Sequence, residues 1–271
     1  MEKMYLNIDD LHKLLYRMLE IVEDAANVTS SRYYLHAGTA LGTVRHHSLI
    51  PWDDDADVII PIPDYKKMVD YLSHRDLGIF KLLYKEKKAT RMQAKLVLKG
   101  QSEDLVCVDL FPMIGVPDDR SLQIKLDKYS ARIRKIYAYK KVRLSSSDRL
   151  WKKIAKNFFS LPFCVFSDRI LYKLFEKNVL YKYDFDKSAY VTNPCGKYGM
   201  KNVIPKKWYG NGINGEINGY CFPIPSEIEK YLTHYYKDYM KCPDREYQEK
   251  MMSLQKEFIG TRENYKKCIQ V

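Results

Sequence analysis

Four aspartates in five positions dominate the sequence Ile50-Pro51-Trp52-Asp53-Asp54-Asp55-Ala56-Asp57-Val58-Ile59-Ile60. The β-branched residues at its end predict a strand from Trp52 to Ile60. Alternation along that strand would place Asp53, Asp55 and Asp57 on one face, roughly 6–7 Å apart, and Asp54 on the other. Such a carboxylate row repels itself unless a cation neutralises it, and Mg²⁺ is bound by one or two carboxylates together with substrate phosphates. The stretch therefore predicts a metal-dependent phosphoryl-transfer site.

Two other interpretations compete with a magnesium-type site. Clustered aspartates are often a solvated turn or a helix cap. Asp53, Asp55 and Asp57 also match the first, third and fifth positions of a calcium-binding loop. That loop needs glycine at its sixth position and glutamate at its twelfth, where this chain has Val58 and Asp64. We set the calcium loop aside, and the solvated turn stays as the alternative.

Length and composition describe a globular chain. Its 271 residues allow one large domain or two small ones, and 46% apolar with 30% charged residues is unlike a disordered or membrane-spanning protein. No run approaches the roughly 18 apolar residues of a membrane span, and the first residues lack the pattern of a signal peptide. The six cysteines include no C-x-x-C pair, which predicts reduced thiols rather than a zinc site. We expect a cytoplasmic protein.

Positive charge is concentrated in residues 121–182. Sixteen Lys and Arg stand there against four Asp and Glu, an excess equal to the net charge of +12 of the whole chain. Residues 118–182 are predicted to be mainly helical, and residues 150–166 mix lysines with bulky apolar side chains, which suits an anionic membrane surface. We expect a peripheral membrane contact through 121–182, and a basic helix that covers the core is the alternative. A nucleic-acid-binding module is the least favoured interpretation, because it leaves the aspartates unexplained.

A helix, a strand and a second helix are predicted before the aspartates. Apolar residues recur at helical spacing over residues 8–26, and residues 33–37 are typical of a buried strand. We expect Gly38 to end that strand and Thr39 to cap a short helix whose free backbone N–H groups face an anion. Arg45 lies at the far end of this helix. His36 is interpreted as a core histidine rather than a catalytic base.

Two charged residues interrupt later apolar strands. Asp109 lies in a strand predicted at residues 105–110, where a lone buried carboxylate costs several kcal/mol unless it is paired or bound to a metal. We expect it to join Asp55 and Asp57 as a third ligand, and an aspartate that caps a turn is the alternative. Lys95 lies in a strand predicted at 91–98, and it either reaches a phosphate or faces solvent.

The composition of the chain changes over residues 190–225, which hold six of its twelve glycines. Asn-Gly steps between short apolar runs predict a β-hairpin. An amphipathic helix capped by Ser226 is expected to follow. The last forty residues are predicted to be helical, with a poorly ordered end.

These motifs together resemble the LicD family, the bacterial relatives of the fukutin proteins in the nucleotidyltransferase superfamily. The resemblance covers most of the chain and rests on the stretches Gly38-Thr39-Ala40-Leu41-Gly42-Thr43-Val44-Arg45-His46, Ile50 to Asp57, Ala94-Lys95-Leu96, Val108-Asp109-Leu110-Phe111-Pro112, Pro223-Ile224-Pro225, Tyr231-Leu232 and Tyr235-Tyr236-Lys237-Asp238-Tyr239-Met240. Relatives often have Tyr-Gly where this chain has Tyr236-Lys237. That departure affects the expected local turn and not the chemistry.

The resemblance implies an α+β fold with a polymerase-β-like nucleotidyltransferase core, a mixed sheet flanked by helices. One LicD-type domain would span the chain, with the core at 1–117, a basic helical segment at 118–190, and a Gly-rich hairpin with C-terminal helices at 191–271. The implied metal is Mg²⁺ or Mn²⁺ on Asp55, Asp57 and Asp109, with Asp53 or Asp109 as proton acceptor.

The resemblance also implies a reaction. Family members transfer a phosphorylated alcohol from a CDP-activated donor to a sugar hydroxyl, most often phosphocholine from CDP-choline, and some use CDP-ribitol or CDP-glycerol. We expect CMP release and a lipid-linked acceptor such as a precursor of teichoic acid, capsule or lipopolysaccharide, with no nucleic acid partner. Gly38 and Thr39 would donate to a phosphate, and Arg45 and Lys95 would bind the diphosphate. A nucleotidyltransferase is the second enzyme interpretation.

Overall fold

A mixed β-sheet with helices packed against it organises the chain, as predicted. The computed structural model describes residues 4–85, 91–141, 167–253 and 256–259. In chain order its helices and strands are β1 (Met4–Leu6), α1 (Ile8–Thr29), β2 (Tyr34–Leu35), α2 (Ala37–Arg45), β3 (Asp55–Pro61), α3 (Ile62–Ser73), β4 (Phe80–Leu83), β5 (Ala94–Leu98), β6 (Cys107–Val116), α4 (Arg120–Lys141), α5 (Asp168–Phe175), β7 (Tyr190–Thr192), β8 (Ile204–Pro205), β9 (Ile213–Ile217), β10 (Tyr220–Ile224), α6 (Ile228–Tyr236), α7 (Arg245–Met252) and β11 (Lys256–Phe258).

The central sheet has the order β2-β3-β6-β5-β4, and β7 and β8 extend it from the far end of β6. β3 and β6 are parallel, whereas β2, β4, β5, β7 and β8 pair antiparallel to their neighbours. The predicted strands at 79–84, 91–98 and 105–110 correspond to β4, β5 and β6. Because β3 and β6 are parallel, the polar residues near the start of each strand lie at the same end of the sheet.

The acidic strand is shorter at its start than predicted. β3 begins at Asp55 rather than at Trp52, because the N–H of Asp53 donates to the carbonyl of Ile50 and closes a turn. Asp53 therefore precedes the strand. Val58, Ile59 and Ile60 are buried, so β3 is covered on both faces as a central strand should be.

Helix α1 supplies much of the core. Asn7 caps it by accepting a hydrogen bond from the N–H of Asp10, and Ser30 ends it in a left-handed conformation. The helix was predicted over residues 8–26 and ends three residues later, at Thr29. Its fully buried stripe consists of Leu14, Leu15, Met18, Leu19, Val22 and Ala25. Each large apolar side chain so buried stabilises the fold by about 1.5–3 kcal/mol relative to exposure.

Two predicted helix caps were wrong. Thr39 lies inside α2, which begins at Ala37, and its hydroxyl accepts a hydrogen bond from β3 instead. Ser226 does not cap α6, whose N-cap is Glu227. Its hydroxyl donates to the carbonyl of Tyr209 and accepts from the N–H of Gly212. In both cases a long-range contact takes the hydroxyl that local sequence assigns to a cap.

The predicted hairpin is confirmed as β9 and β10, which pair antiparallel around Asn218 and Gly219. Both turn residues have positive φ, 50° and 83°, the type I′ combination that matches the twist of the strands. The predicted C-terminal helices are confirmed for α6 and α7, but residues 256–258 form strand β11, which pairs with β1. Residues 260–271 lie outside the described residues.

The described part of the basic segment is mainly helical, as predicted, but residues 181–189 are irregular and Tyr190 already belongs to β7. α4 and α5 carry most of it, and a π-helical turn at Glu176–Leu180 follows. The stretch 150–166, on which the predicted membrane contact rests, lies outside the described residues. Among the helices that are described, none has the length and apolar character needed to cross a membrane. Cys107, Cys195, Cys221 and Cys242 are free thiols, in agreement with the prediction for these four.

Candidate functional site

Three carboxylates converge at the end of the sheet where β3 and β6 begin. Asp57 and Asp109 are directly paired across the parallel strands β3 and β6, and Asp55 lies two residues before Asp57 on the same face. One carboxylate oxygen from each of the three lies within 4.8 Å of the others. A set of oxygen donors this close fits a hard divalent cation such as Mg²⁺ or Mn²⁺.

The electrostatics of the cluster point the same way. Burial, then the charges of Asp55 and Asp109, raise the pKa of Asp57 well above its ordinary value. Burial and the charge of Asp54 raise the pKa of Asp55, and burial raises that of Asp109. The protein therefore holds these carboxylates together against their mutual repulsion, which a bound cation would relieve.

Asp109 is held from its other side by β5. The side-chain amide of Gln93 donates to its Oδ1 at 3.0 Å, and the ammonium of Lys95 lies 3.6 Å from its Oδ2. Lys95 and Asp109 are paired residues of antiparallel strands, and Lys95 is only 6% exposed. The structure thus places Lys95 behind Asp109 rather than in the cleft described below, and its expected contact with a phosphate stays a prediction.

Asp53 lies at the side of the cluster, against α2. A Cβ atom on Gly38 would come within 2.8 Å of its Oδ2, so glycine allows this close approach. Burial, followed by the charges of Asp55 and Asp54, raises the pKa of Asp53 to about 7. Asp54 turns away and forms an ion pair with Lys256 at 2.5 Å. Asp53 therefore lines the cleft and Asp54 does not, although both precede β3 rather than alternate along it, and the role of Asp53 as a base stays a prediction.

The start of α2 is tied to the carboxylate strand. Thr39 is buried, and its Oγ1 accepts the N–H of Asp57 at 2.8 Å. The N–H of Ala37 donates to the hydroxyl of Tyr231, and that of Thr39 donates to the carbonyl of His36. Of the first three N–H groups of this helix, the one on Gly38 has no partner among the described residues. It is the donor that the structure offers to an anion.

His36 is a core residue, as interpreted from the sequence. It is 3% exposed, and its two ring nitrogens contact the hydroxyl of Tyr231 at 2.7 Å and the side-chain amide of Asn193 at 3.3 Å. Burial lowers its pKa to about 3, so the ring is neutral at physiological pH. It joins α2, α6 and the turn after β7.

Arg45 anchors the segment that follows α6. Its Nη1 donates to the carbonyl oxygens of Tyr239 at 3.0 Å and Lys241 at 3.4 Å, and its guanidinium lies over the ring of Trp52. These contacts occupy part of the fork that was expected to bind the diphosphate. The structure brings Arg45 to the cleft, where it holds the segment after α6, and its expected contact with the diphosphate stays a prediction.

The carboxylates line a cleft of about 1110 Å³. Other parts of its lining come from distant segments that no sequence motif joined to the aspartates: Arg91, Arg134, Lys197 and Tyr198. Tyr236 and Lys237, from a stretch that carried the family resemblance, also line the cleft. The glycine-rich composition around Asn193–Gly199 was the one sequence signal that singled out the turn with Lys197 and Tyr198. The cleft therefore combines an acidic patch with cationic and aromatic walls.

Comparisons with known proteins relate the sequence around this site to a protein family. The family model for the LicD/FKTN/FKRP nucleotidyltransferase domain matches residues 30–144, which contain all the aspartates of the site. Residues 30–144 form a LicD-family domain. The chain is 28% identical over 230 residues to the lipopolysaccharide cholinephosphotransferase LicD of Haemophilus influenzae. The matched region covers 79% of this chain and 84% of the relative.

Two shorter similarities involve uncharacterised proteins of Rickettsia. One from Rickettsia typhi is 29% identical over 75 residues, or 24% of each chain, and one from Rickettsia prowazekii is 36% identical over 44 residues, or 16% of each. The resemblance to the LicD family that the motifs indicated is confirmed. The Gly-Thr turn, the aspartate strand and Asp109 all belong to the matched LicD-family domain.

Proposed function

We propose that this chain is a metal-dependent phosphotransferase that moves phosphocholine, or a related phosphorylated alcohol, from a CDP-activated donor to a sugar hydroxyl of a cell-surface glycan precursor. The observation that carries the proposal is the triad of Asp55, Asp57 and Asp109 on adjacent strands, in a LicD-family domain and facing a cleft. The similarity to a lipopolysaccharide cholinephosphotransferase supports the choice of phosphocholine.

In the proposed reaction a sugar oxygen attacks the phosphorus of the phosphorylated alcohol. A new P–O bond forms to the sugar, the P–O bond to the CMP phosphate breaks, and CMP leaves with the bonding electron pair. Asp55, Asp57 and Asp109 would hold Mg²⁺ or Mn²⁺, which supplies charge neutralisation at the diphosphate. The backbone N–H of Gly38 would donate to a phosphate oxygen.

Asp53 is the favoured acceptor for the proton of the sugar hydroxyl. Both oxygens of Asp109 face partners on β5, namely Gln93 and Lys95, whereas Asp53 stands beside the triad and lines the cleft. A base of this kind contributes less than positioning and charge neutralisation in phosphoryl transfer.

Tyr198 and Tyr236 are the proposed contacts of a choline head group. Burial and then the charges of Tyr198, Asp57 and Asp53 raise the pKa of Tyr236, so its hydroxyl lies near both the acidic patch and Tyr198. Aromatic faces bind quaternary ammonium groups through cation–π contacts. Replacing Tyr236 by Leu is expected to raise the KM for CDP-choline more than the KM for CDP-glycerol.

The proposal is tested by metal-dependent CMP release. CDP-choline, CDP-glycerol and CDP-ribitol are incubated with the protein, Mg²⁺ and an acceptor glycan, and CMP is quantified. The Asp57→Asn variant should lose activity by at least about a hundredfold, whereas Asp54→Asn should keep it, because Asp54 faces away from the cleft. Full activity of Asp57→Asn would overturn the site.

Nucleotidyl transfer is the second candidate, because the matching family model describes a nucleotidyltransferase domain. The two reactions break different bonds. Phosphoalcohol transfer releases CMP from the CDP donor, whereas nucleotidyl transfer from CTP releases pyrophosphate. Pyrophosphate without CMP would favour the second function.

A further inference from the structure

The cleft contains a cation with an unused donor. Arg134, on α4, lines the cleft, and its Nη1 donates to the carbonyl of Cys195 at 3.1 Å. Its Nε is buried and has no hydrogen-bond partner, the one side-chain nitrogen or oxygen of this kind in the described part of the chain. Leaving such a donor unsatisfied costs about 1–3 kcal/mol, and native proteins rarely accept that cost without a ligand or water that binds there.

A second cation lies on the turn that Arg134 contacts. Lys197 lines the cleft next to Gly196. Burial and neighbouring carboxylates raise the pKa of both Asp53 and Asp57, and the charge of Lys197 acts in the opposite direction on each. The ammonium of Lys197 is therefore close enough to influence the acidic patch.

The turn that carries Lys197 is firmly held. Asn193 is 4% exposed, and its Oδ1 accepts the N–H of Cys195 at 3.0 Å. A Cβ on Gly196 would lie 2.6 Å from the amide nitrogen of Asn202 and 3.1 Å from that of Asn193, so this backbone packs directly against two buried amides. A rigid turn of this kind keeps a cationic side chain in place beside a ligand.

The two cations that the sequence suggested for a phosphate are already engaged. Arg45 binds carbonyl oxygens of the segment after α6, and Lys95 lies behind Asp109. A nucleoside diphosphate brings negative charge that the acidic patch cannot bind without a cation. Arginine suits this task, because its planar fork binds two phosphate oxygens at once.

We propose that Arg134 and Lys197 form an anion subsite on the cleft wall that binds the phosphate of the nucleotide part of the donor, the phosphate that leaves with CMP. This subsite rests on the proposed function, since it names which residues bind the leaving group. It gives the cleft two kinds of binding group, with carboxylates on β3 and β6 and phosphate-binding cations on α4 and the turn after β7.

Calorimetric binding of CMP and of cytidine to the full-length protein tests the subsite. Arg134→Gln and Lys197→Gln should each weaken CMP binding by on the order of tenfold and leave cytidine binding within about twofold, because only CMP carries the phosphate. Arg132→Gln is the matched control, since it removes the same charge from an exposed position of the same helix. It should bind CMP like the wild type.

The outcomes separate the subsite from the proposed function. Unchanged CMP binding by both variants, with wild-type turnover of CDP-choline, would overturn the subsite and leave the proposed function standing. If both variants instead lose binding of a sugar phosphate and keep CMP, the assignment to the nucleotide phosphate is overturned. If Arg134 had a purely structural role, Arg134→Gln would lower the unfolding temperature without changing the ratio of CMP to cytidine affinity. Lys197→Gln tests the subsite without this complication, because Lys197 is exposed.

Discussion

Asp57 and Asp109 are paired residues of parallel neighbouring strands, so the backbone itself holds their carboxylates side by side on one face of the sheet. Adjacent strands are about 4.8 Å apart, which leaves little room for the two like charges to separate. Hydrogen bonds from elsewhere support each residue: Thr39 accepts the backbone N–H of Asp57, and Gln93 donates to the side chain of Asp109. The fold thus builds a site whose clustered negative charge lowers its stability, and a bound cation or proton would relieve this repulsion.

Removing one of these charges should stabilise the metal-free protein. We expect Asp57→Asn to raise the unfolding temperature in EDTA by roughly 2–4 °C, equivalent to about 1 kcal/mol in a chain of this size, because it ends the repulsion with Asp55 and Asp109. Mg²⁺ should raise the unfolding temperature of the wild type and leave that of the variant nearly unchanged. Asp54→Asn serves as control and should keep the response to Mg²⁺. A variant less stable than the wild type in EDTA would contradict the account.

The stability of the metal-free protein should fall between pH 6.5 and pH 8. The pKa of Asp53 is raised to about 7 and that of Asp57 lies well above its ordinary value, so the folded state holds protons that the unfolded chain has already lost. Stability is therefore lost as the pH rises through these folded-state pKa values. The histidines whose pKa burial lowers, namely His12, His36 and His46, act below pH 6.5 and do not mask the effect.

Thermal unfolding at pH 6.5, 7, 7.5 and 8, with EDTA or with Mg²⁺, measures this dependence. The increment due to Mg²⁺ should grow with pH, because the cation binds the deprotonated carboxylates. Asp53→Asn should flatten the EDTA curve, because the pKa of Asp53 is about 7. A metal-free stability that rises over the same range would show that the carboxylates do not control it.

Much of this arrangement could be predicted from local sequence. The aspartates, the β-branched residues after them and the isolated Asp109 carry strong period-two and burial signals, and these predicted the strands and the triad. Asn218-Gly219 predicted its hairpin turn for the same local reason. Where backbone conformation and side-chain alternation decide the outcome, the sequence was sufficient.

The rest depends on contacts between distant segments. Thr39 and Ser226 have the residue types of helix caps, yet each hydroxyl bonds to another part of the chain. Arg45 and Lys95 were expected to bind phosphate because their charge was visible and their partners were not. Arg134 and Lys197 joined the site only through the packing of α4 against the turn after β7. No local pattern reports such packing.

The two glycines of α2 should respond differently to alanine. A Cβ on Gly38 would meet the carboxylate of Asp53 at 2.8 Å, whereas a Cβ on Gly42 would meet the backbone carbonyl of Ser48 at 2.4 Å. A side chain can move and a packed backbone cannot do so cheaply. We expect Gly42→Ala to lower the free energy of unfolding by about 1–3 kcal/mol. Gly38→Ala should keep its free energy of unfolding within about 1 kcal/mol of the wild type, but its rate of CMP release should fall by at least about tenfold.

Urea unfolding and the CMP-release assay on both variants separate the two effects. Each variant is the control for the other, because the substitution and the helix are the same. Equal losses of stability would mean that Gly38 serves packing alone.

Arg45 should hold the segment 239–244 against the cleft. Replacing it by Lys keeps the charge and removes the fork that reaches the carbonyl oxygens of Tyr239 and Lys241. We expect faster hydrogen exchange in 239–244 and little change in α1, with a stability loss of about 1 kcal/mol. Exchange in 239–244 that matches the wild type would show that the anchor lies elsewhere.

Lys237 occupies a backbone conformation that favours glycine. It ends α6 with φ of 57° and ψ of −105°, so the turn expected from the resemblance forms although lysine replaces the usual glycine. A non-glycine residue in such a region costs about 1–3 kcal/mol. We expect Lys237→Gly to increase the free energy of unfolding by about 1 kcal/mol, measured in urea.

Lys241→Gly provides the matched control for this substitution. Lys241 lines the same cleft but is absent from the positive-φ residues, so glycine there should lower stability through the greater entropy of the unfolded chain. Because strained residues persist where the side chain is used, Lys237→Gly should also bind CMP more weakly despite its added stability. A Lys237→Gly variant that is less stable than the wild type would contradict the strain, and one that gains stability with unchanged CMP binding would leave Lys237 outside the nucleotide site.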